Sequence, residues 1–144
     1  MTQITAELSS GMTVQLSNGR HKWSSDEPLS AGGTDSGPDP YELLLGSLAA
    51  CTCITIAFYC KRKGLKLDRV STSYDFSRVH ADDCEDCDEP NKGLIEKITS
   101  NVHIEGDFDE AQRTRLAEIA QRCPVHKTLA KGVAFEDHAD FNVA

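Results

Sequence analysis

GPDPYELLLGSLAACTCITIAFYCKRKG, from Gly37 to Gly64, is the stretch whose reading decides the fold. Asp39 suits an N-cap, with Pro40 at the first helical position and Glu42 completing a D-x-x-E capping box. Lys61, Arg62 and Lys63 suit the negative end of a helix dipole, and Gly64 can close the helix. About 24 residues at roughly 1.5 Å each give a helix of about 36 Å. From Leu43 to Phe58 it carries no charge and no polar face, so it is expected to be buried all round. Gly46, Ser47, Thr52 and Thr55 dilute its apolar run, and ordinary soluble sequence flanks it, which argues for a core helix and against a membrane span.

Outward from this helix, the 144 residues read as a single domain, 1–144. A formal charge of −8 argues against nucleic acid or an anionic membrane surface as partner. The opening MTQITAELSS has no basic region followed by an apolar run, so a cytoplasmic location is expected. Six cysteines in a reducing compartment are buried small hydrophobes, metal ligands or redox groups, not a disulfide framework.

Two short strands are expected over 3–16, where Met12, Val14 and Leu16 alternate, and Asn18-Gly19 predicts a hairpin returning through Arg20 to Trp23. The loop that follows is long enough to suggest function, and its Asp26-Glu27-Pro28 places two carboxylates upstream of the cysteine helix. Val70, Thr72, Tyr74 and Phe76 alternate as one strand; Ile98, Ser100, Val102 and Ile104 alternate as another. The acidic segment between them, His80–Gly93, contains C-x-x-C at Cys84 and Cys87. A second helix is capped by Asp107 or Asp109, with the stripe Leu116, Ile119, Ala120 and Cys123. Cys123 can cap a further short helix from Pro124 to Lys131, stopped by Gly132, and Val133 and Phe135 suggest a last strand. The order of elements is α+β, with helices against a mostly antiparallel sheet.

Cys123, before a proline that opens helical turns, sits where free amides and the dipole favour a thiolate, and Arg122 and His126 could add positive potential. A buried helix-end cysteine is the plainer alternative. Cys53 and Cys60 point about 200° and 180° away from Cys51 around one helix, so the three cannot share a face for a metal. Cys53 and Cys60 read as structural. Cys84 and Cys87 make half a zinc site.

The run G-P-x-P-Y-E-L-L-L-x-x-L-A-A-C-T (Gly37–Thr52), followed about seventy residues later by C-P-V-H (Cys123–His126), resembles the OsmC/Ohr family of organic-hydroperoxide-reducing proteins. D-E-P (Asp26–Pro28) and D-C-x-x-C (Asp83–Cys87) place the likeness in an OsmC-like subgroup. The resemblance implies an OsmC/Ohr-like fold in an intertwined homodimer, with two central helices packed together and the sheets around them. It implies no cofactor and a thiol peroxidase: Cys51 peroxidatic, Cys123 resolving, an organic hydroperoxide as substrate, and an external dithiol as reductant. The family holds its first cysteine as a thiolate with an arginine paired to a carboxylate ten positions before that cysteine. That position here is Tyr41. Glu42 next to it, which lies about 180° from Cys51 on an unbroken helix, and Glu27 are the alternative carboxylates, and Arg20 is the candidate arginine. Two other readings stand beside the peroxidase: a binding protein for small molecules or thiol adducts on the same scaffold, and a zinc protein using Cys84 and Cys87.

Overall fold

The computed structural model describes residues 2–80 and 94–141. Strands β1 (Thr5–Glu7), β2 (Val14–Ser17) and β3 (Lys22–Ser25) form an antiparallel sheet in that order. Asn18 makes the β2–β3 turn: its side chain accepts from the Arg20 and His21 N–H groups at 3.0 and 2.7 Å. Helix α1 spans Pro40–Lys63. The Glu42 N–H donates to the Asp39 carboxylate and the Asp39 N–H to the Glu42 carboxylate, both at 2.8 Å, so the capping box is closed. Gly64 ends the helix in the left-handed conformation, with φ 68°.

Strands β4 (Leu67–His80) and β5 (Leu94–Gly106) form a long antiparallel pair whose register runs from Leu67↔Gly106 to His80↔Leu94. The acidic C-x-x-C segment joins these ends; Cys84 and Cys87 lie outside the described residues. Helix α2 (Glu110–Ala120) is capped by Asp109, with Gln112 as its box partner, and α3 (Pro124–Lys131) is capped by Cys123.

The core gathers Ile56, Tyr59 and Cys60 of α1 with Phe108, Leu116 and Ile119, backed by Val70, Val102 and Ile104 of the strand pair. The alternating face of β4 runs along α1: Thr72 meets Cys53, Tyr74 meets Thr52, and Phe76 stacks on Tyr41. Gly106 is required where β5 ends, because a Cβ there would collide with the Phe108 ring that closes the core.

Two expectations fail. Helix α1 is buried on one face only; Ile54 and Phe58 are 53% and 68% exposed on the other. One strand pair and two short helices cover one side of a helix, and an all-round apolar helix needs cover on both. By length and composition α1 would also suit a membrane crossing, but its buried face is packed as a core helix. The expected final strand does not form: residues 132–141 are irregular, and Val133 and Phe135 are exposed. Apolar alternation makes a strand only beside an edge that accepts its hydrogen bonds.

Candidate active site

The long loop before α1 is built on Asp26, which is 2% exposed. Its carboxylate accepts from the Thr34 hydroxyl at 2.6 Å, the Ser36 hydroxyl at 2.7 Å and the Thr13 hydroxyl at 3.2 Å. The Thr34 and Ser36 N–H groups add bonds at 3.2 Å each, and the Glu27 N–H one at 2.8 Å. The Thr34 and Ser36 hydroxyls, foremost among these donors, hold the carboxyl well below the usual carboxylate range. Pro38 accepts from the Ser25 hydroxyl and the Asp26 N–H, which delivers the chain to the Asp39 cap. Gly33 admits the tight packing, since a Cβ there would overlap the Glu27 carbonyl. Asp26 therefore has a structural job.

The chemistry-bearing cysteines converge where α1 meets the start of α3. Cys51 is half-buried and Cys123 fully buried, and both are free thiols. The Cys123 sulfur accepts from the His126 N–H at 3.4 Å. Burial pushes the Cys123 thiol up first of all, and the bond and charge of Cys51 push it further; the His126 N–H and Thr52 hydroxyl oppose both. Of the two readings of Cys123, its burial favours the buried helix-end cysteine. One amide and a short helix do not offset full desolvation beside a second sulfur.

Between α1, the strand pair and α3 opens a groove of about 250 Å³, walled by Leu48 of α1, Tyr74 of β4, Glu96, Ile98 and Ser100 of β5, and His126, Leu129 and Ala130 of α3. Arg78 reaches Glu96 at 3.7 Å across the strand pair.

Cys53 turns toward Thr72, with its sulfur 3.8 Å from that hydroxyl, and Cys60 lies in the core, where burial raises its thiol. Arg20 is exposed on the β2–β3 turn. The Glu42 carboxylate is occupied by the Asp39 N–H, and Glu27 sits in the loop that Asp26 organises. Among the described residues none of these three bonds to Cys51 or Cys123 within the single chain. No cluster of three metal-binding side chains occurs among the described residues either. The site contributors that sequence reading passed over are Thr52, Tyr74 and Glu96. Tyr74 and Thr52 carry a weak signal, polar hydroxyls on otherwise apolar faces, but nothing in the sequence pairs them.

A family model described as OsmC-like protein matches residues 33–136. Among solved structures, an OsmC-like protein from Mycoplasma pneumoniae superposes with TM-score 0.69 at 23% identity, covering 90% of this chain and 87% of that one. An organic hydroperoxide resistance protein OsmC from Legionella pneumophila gives 0.61 at 22%, covering 88% and 87%. The organic hydroperoxide resistance protein OhrB of Bacillus subtilis gives 0.58 at 19%, covering 88% of each chain. Comparison with curated proteins finds no match.

Proposed function

This chain belongs to the family of OsmC-like proteins, and from that premise we propose that it is a thiol peroxidase reducing organic hydroperoxides through Cys51 and Cys123. The observation that carries the reading is the proximity of the two thiols, on the elements that also supply Leu48 and His126 to the wall of a partly apolar groove. Burial raises the Cys123 thiol, which suits the resolving role, and the half-buried Cys51 takes the part of the nucleophile. The Cys51 thiolate attacks the outer oxygen of ROOH; an S–O bond forms, the O–O bond breaks, and the leaving alkoxide takes a proton as ROH. Cys123, deprotonated, then attacks the Cys51 sulfur; the S–S bond forms and hydroxide leaves as water once protonated. An external dithiol returns both thiols by exchange. Leu48, Ile98 and Leu129 favour an alkyl chain over hydrogen peroxide.

The working unit is a homodimer. Support comes from the open face of α1, where Ile54 and Phe58 stand exposed, and from the exposed Ile4, Leu8, Met12 and Phe135. In the dimer the exposed Arg20 supplies the cation beside Cys51, with Glu27 as its carboxylate partner; Glu42 stays with its cap. Reduced thiols fit a cytoplasmic protein.

The test is single turnover. Reduced protein receives one equivalent of an alkyl hydroperoxide, is quenched within seconds, and its disulfides are mapped by mass spectrometry. A fast Cys51–Cys123 bond, absent in Cys51→Ser and Cys123→Ser, is expected. Slow or scattered oxidation would overturn the peroxidase in favour of a binding protein.

A further inference from the structure

We propose that Glu96 sets the substrate class of the groove: alkyl hydroperoxides whose far end is uncharged, in preference to those ending in a free carboxylate. This assignment rests on the peroxidase reading above and names the substrate of that same site.

The register of the strand pair gives the groove a direction. Tyr74 lies opposite Ser100, Phe76 opposite Ile98 and Arg78 opposite Glu96, and alternation puts all six on the face turned to α1. The Tyr74 rung is level with the cysteine turn of α1, since its hydroxyl meets that of Thr52, the residue after Cys51, at 2.7 Å. Four residues of strand separate Ser100 on that rung from Glu96, about 13 Å at roughly 3.3 Å per residue. A hydroperoxide group placed at the cysteine turn therefore sends its alkyl chain past Ile98 toward Glu96.

Charge decides which far end is accepted. Among the residues that wall the groove, Glu96 is the one carboxylate, and none is a lysine or arginine. Its partner Arg78 stands 3.7 Å away on the neighbouring strand. Both side chains are more than half exposed, so the pair is weak and leaves the carboxylate a charge to present. The Arg78 guanidinium lies over the Phe76 ring, 6.0 Å from its centroid, and is not part of the groove wall. A substrate carboxylate at this end gives up water and meets a like charge; a methyl or ester end meets neither penalty.

The first test uses no peroxide. Reduced protein with 13C-labelled methyl groups is titrated at pH 8 with octanol and with octanoate, and the Leu48, Ile98 and Leu129 signals are followed by NMR. Octanol is expected to shift them with a Kd about fivefold lower than octanoate, the size of one like charge at a partly exposed site. Glu96→Gln should bring the two ligands within about twofold. Glu105→Gln makes the same charge change on the opposite face of β5, beside His103, and should keep the gap. Octanoate bound as tightly as octanol in wild type overturns the proposal and would mean that Arg78 turns into the groove to meet it. A gap that survives Glu96→Gln, or that Glu105→Gln also removes, overturns it in favour of net charge. So does a failure of both ligands to shift these methyls.

The second test measures the rate of Cys51 oxidation by 8-hydroperoxyoctanoate and by its methyl ester. The ester is expected to react about fivefold faster in wild type, and the ratio to shrink in Glu96→Gln. Equal wild-type rates overturn the assignment. Wild-type protein that binds octanol in the groove but consumes neither peroxide sinks the peroxidase reading alone, because the methyl titration still reads Glu96.

Discussion

The ring of Tyr41 stacks on that of Phe76, with centroids 4.6 Å apart and planes inclined at 37°. At the position where the OsmC/Ohr pattern carries its activating carboxylate, this chain therefore has an aromatic clasp between the first turn of α1 and strand β4. The Arg78 guanidinium, 6.0 Å from the Phe76 centroid, extends the stack toward Glu96. Tyr41→Ala is expected to cost about 1 kcal/mol, the range of an aromatic pair beyond its burial, read from urea unfolding. Tyr41→Glu loses the same contact but restores a carboxylate. It should speed Cys51 oxidation by alkyl hydroperoxide about tenfold, the equivalent of one unit of thiol pKa. An unchanged rate would mean that Cys51 is activated by other groups.

Asp26 predicts an acid response. Its folded carboxyl titrates far below its unfolded one, chiefly through the Thr34 and Ser36 hydroxyls. Its contribution to stability is therefore fully present above the unfolded value of about 4 and is lost progressively as pH falls toward the folded one. Asp26→Asn should be less stable than wild type at pH 7, because the amide nitrogen cannot accept the bonds that the carboxylate oxygen does. The gap should narrow below about pH 4. A gap constant from pH 7 to pH 3 would show that the loop does not depend on this charge.

The buried thiols predict the opposite limb. Burial raises Cys60 and, with Cys51, raises Cys123. Above about pH 8.5 the unfolded chain loses thiol protons that the folded chain keeps, so stability falls as pH rises. Urea midpoints under reducing conditions at pH 7.5, 9 and 10 should decline in wild type. The decline should be shallower in Cys60→Ala and Cys123→Ala, whatever their starting stability. Parallel slopes in all three proteins would refute this.

The open face of α1 predicts an assembly. Phe58→Lys places a charge on a side chain that is 68% exposed in the single chain and so costs the monomer fold little. Light scattering after gel filtration should give about twice the chain mass for wild type and the single-chain mass for the variant. A wild-type monomer would rule out the dimer and leave the apolar face unexplained.

Much of this was legible along the chain because it depends on near neighbours. The Asp39–Glu42 and Asp109–Gln112 boxes, Pro40 and Gly64, and the cap at Cys123 each involve residues within four positions or at one helix end. The faces of β4 and β5 follow from alternation, because a strand side chain changes sides at every residue. What packing alone decided joins elements far apart in sequence. Nothing local announces that Thr52 meets Tyr74, that Asp26 binds Thr34 and Ser36 and also reaches back to Thr13, or that Cys51 comes near enough to Cys123 to raise its thiol. The sign of the Cys123 shift followed the same rule. The helix end argues for a thiolate, and desolvation, which exists only once the fold has closed around the sulfur, argues more strongly against it. Uniform apolarity along α1 stated that both its faces need cover; the tertiary structure decided which face this chain covers itself, since its own elements enclose one side of a helix about 36 Å long.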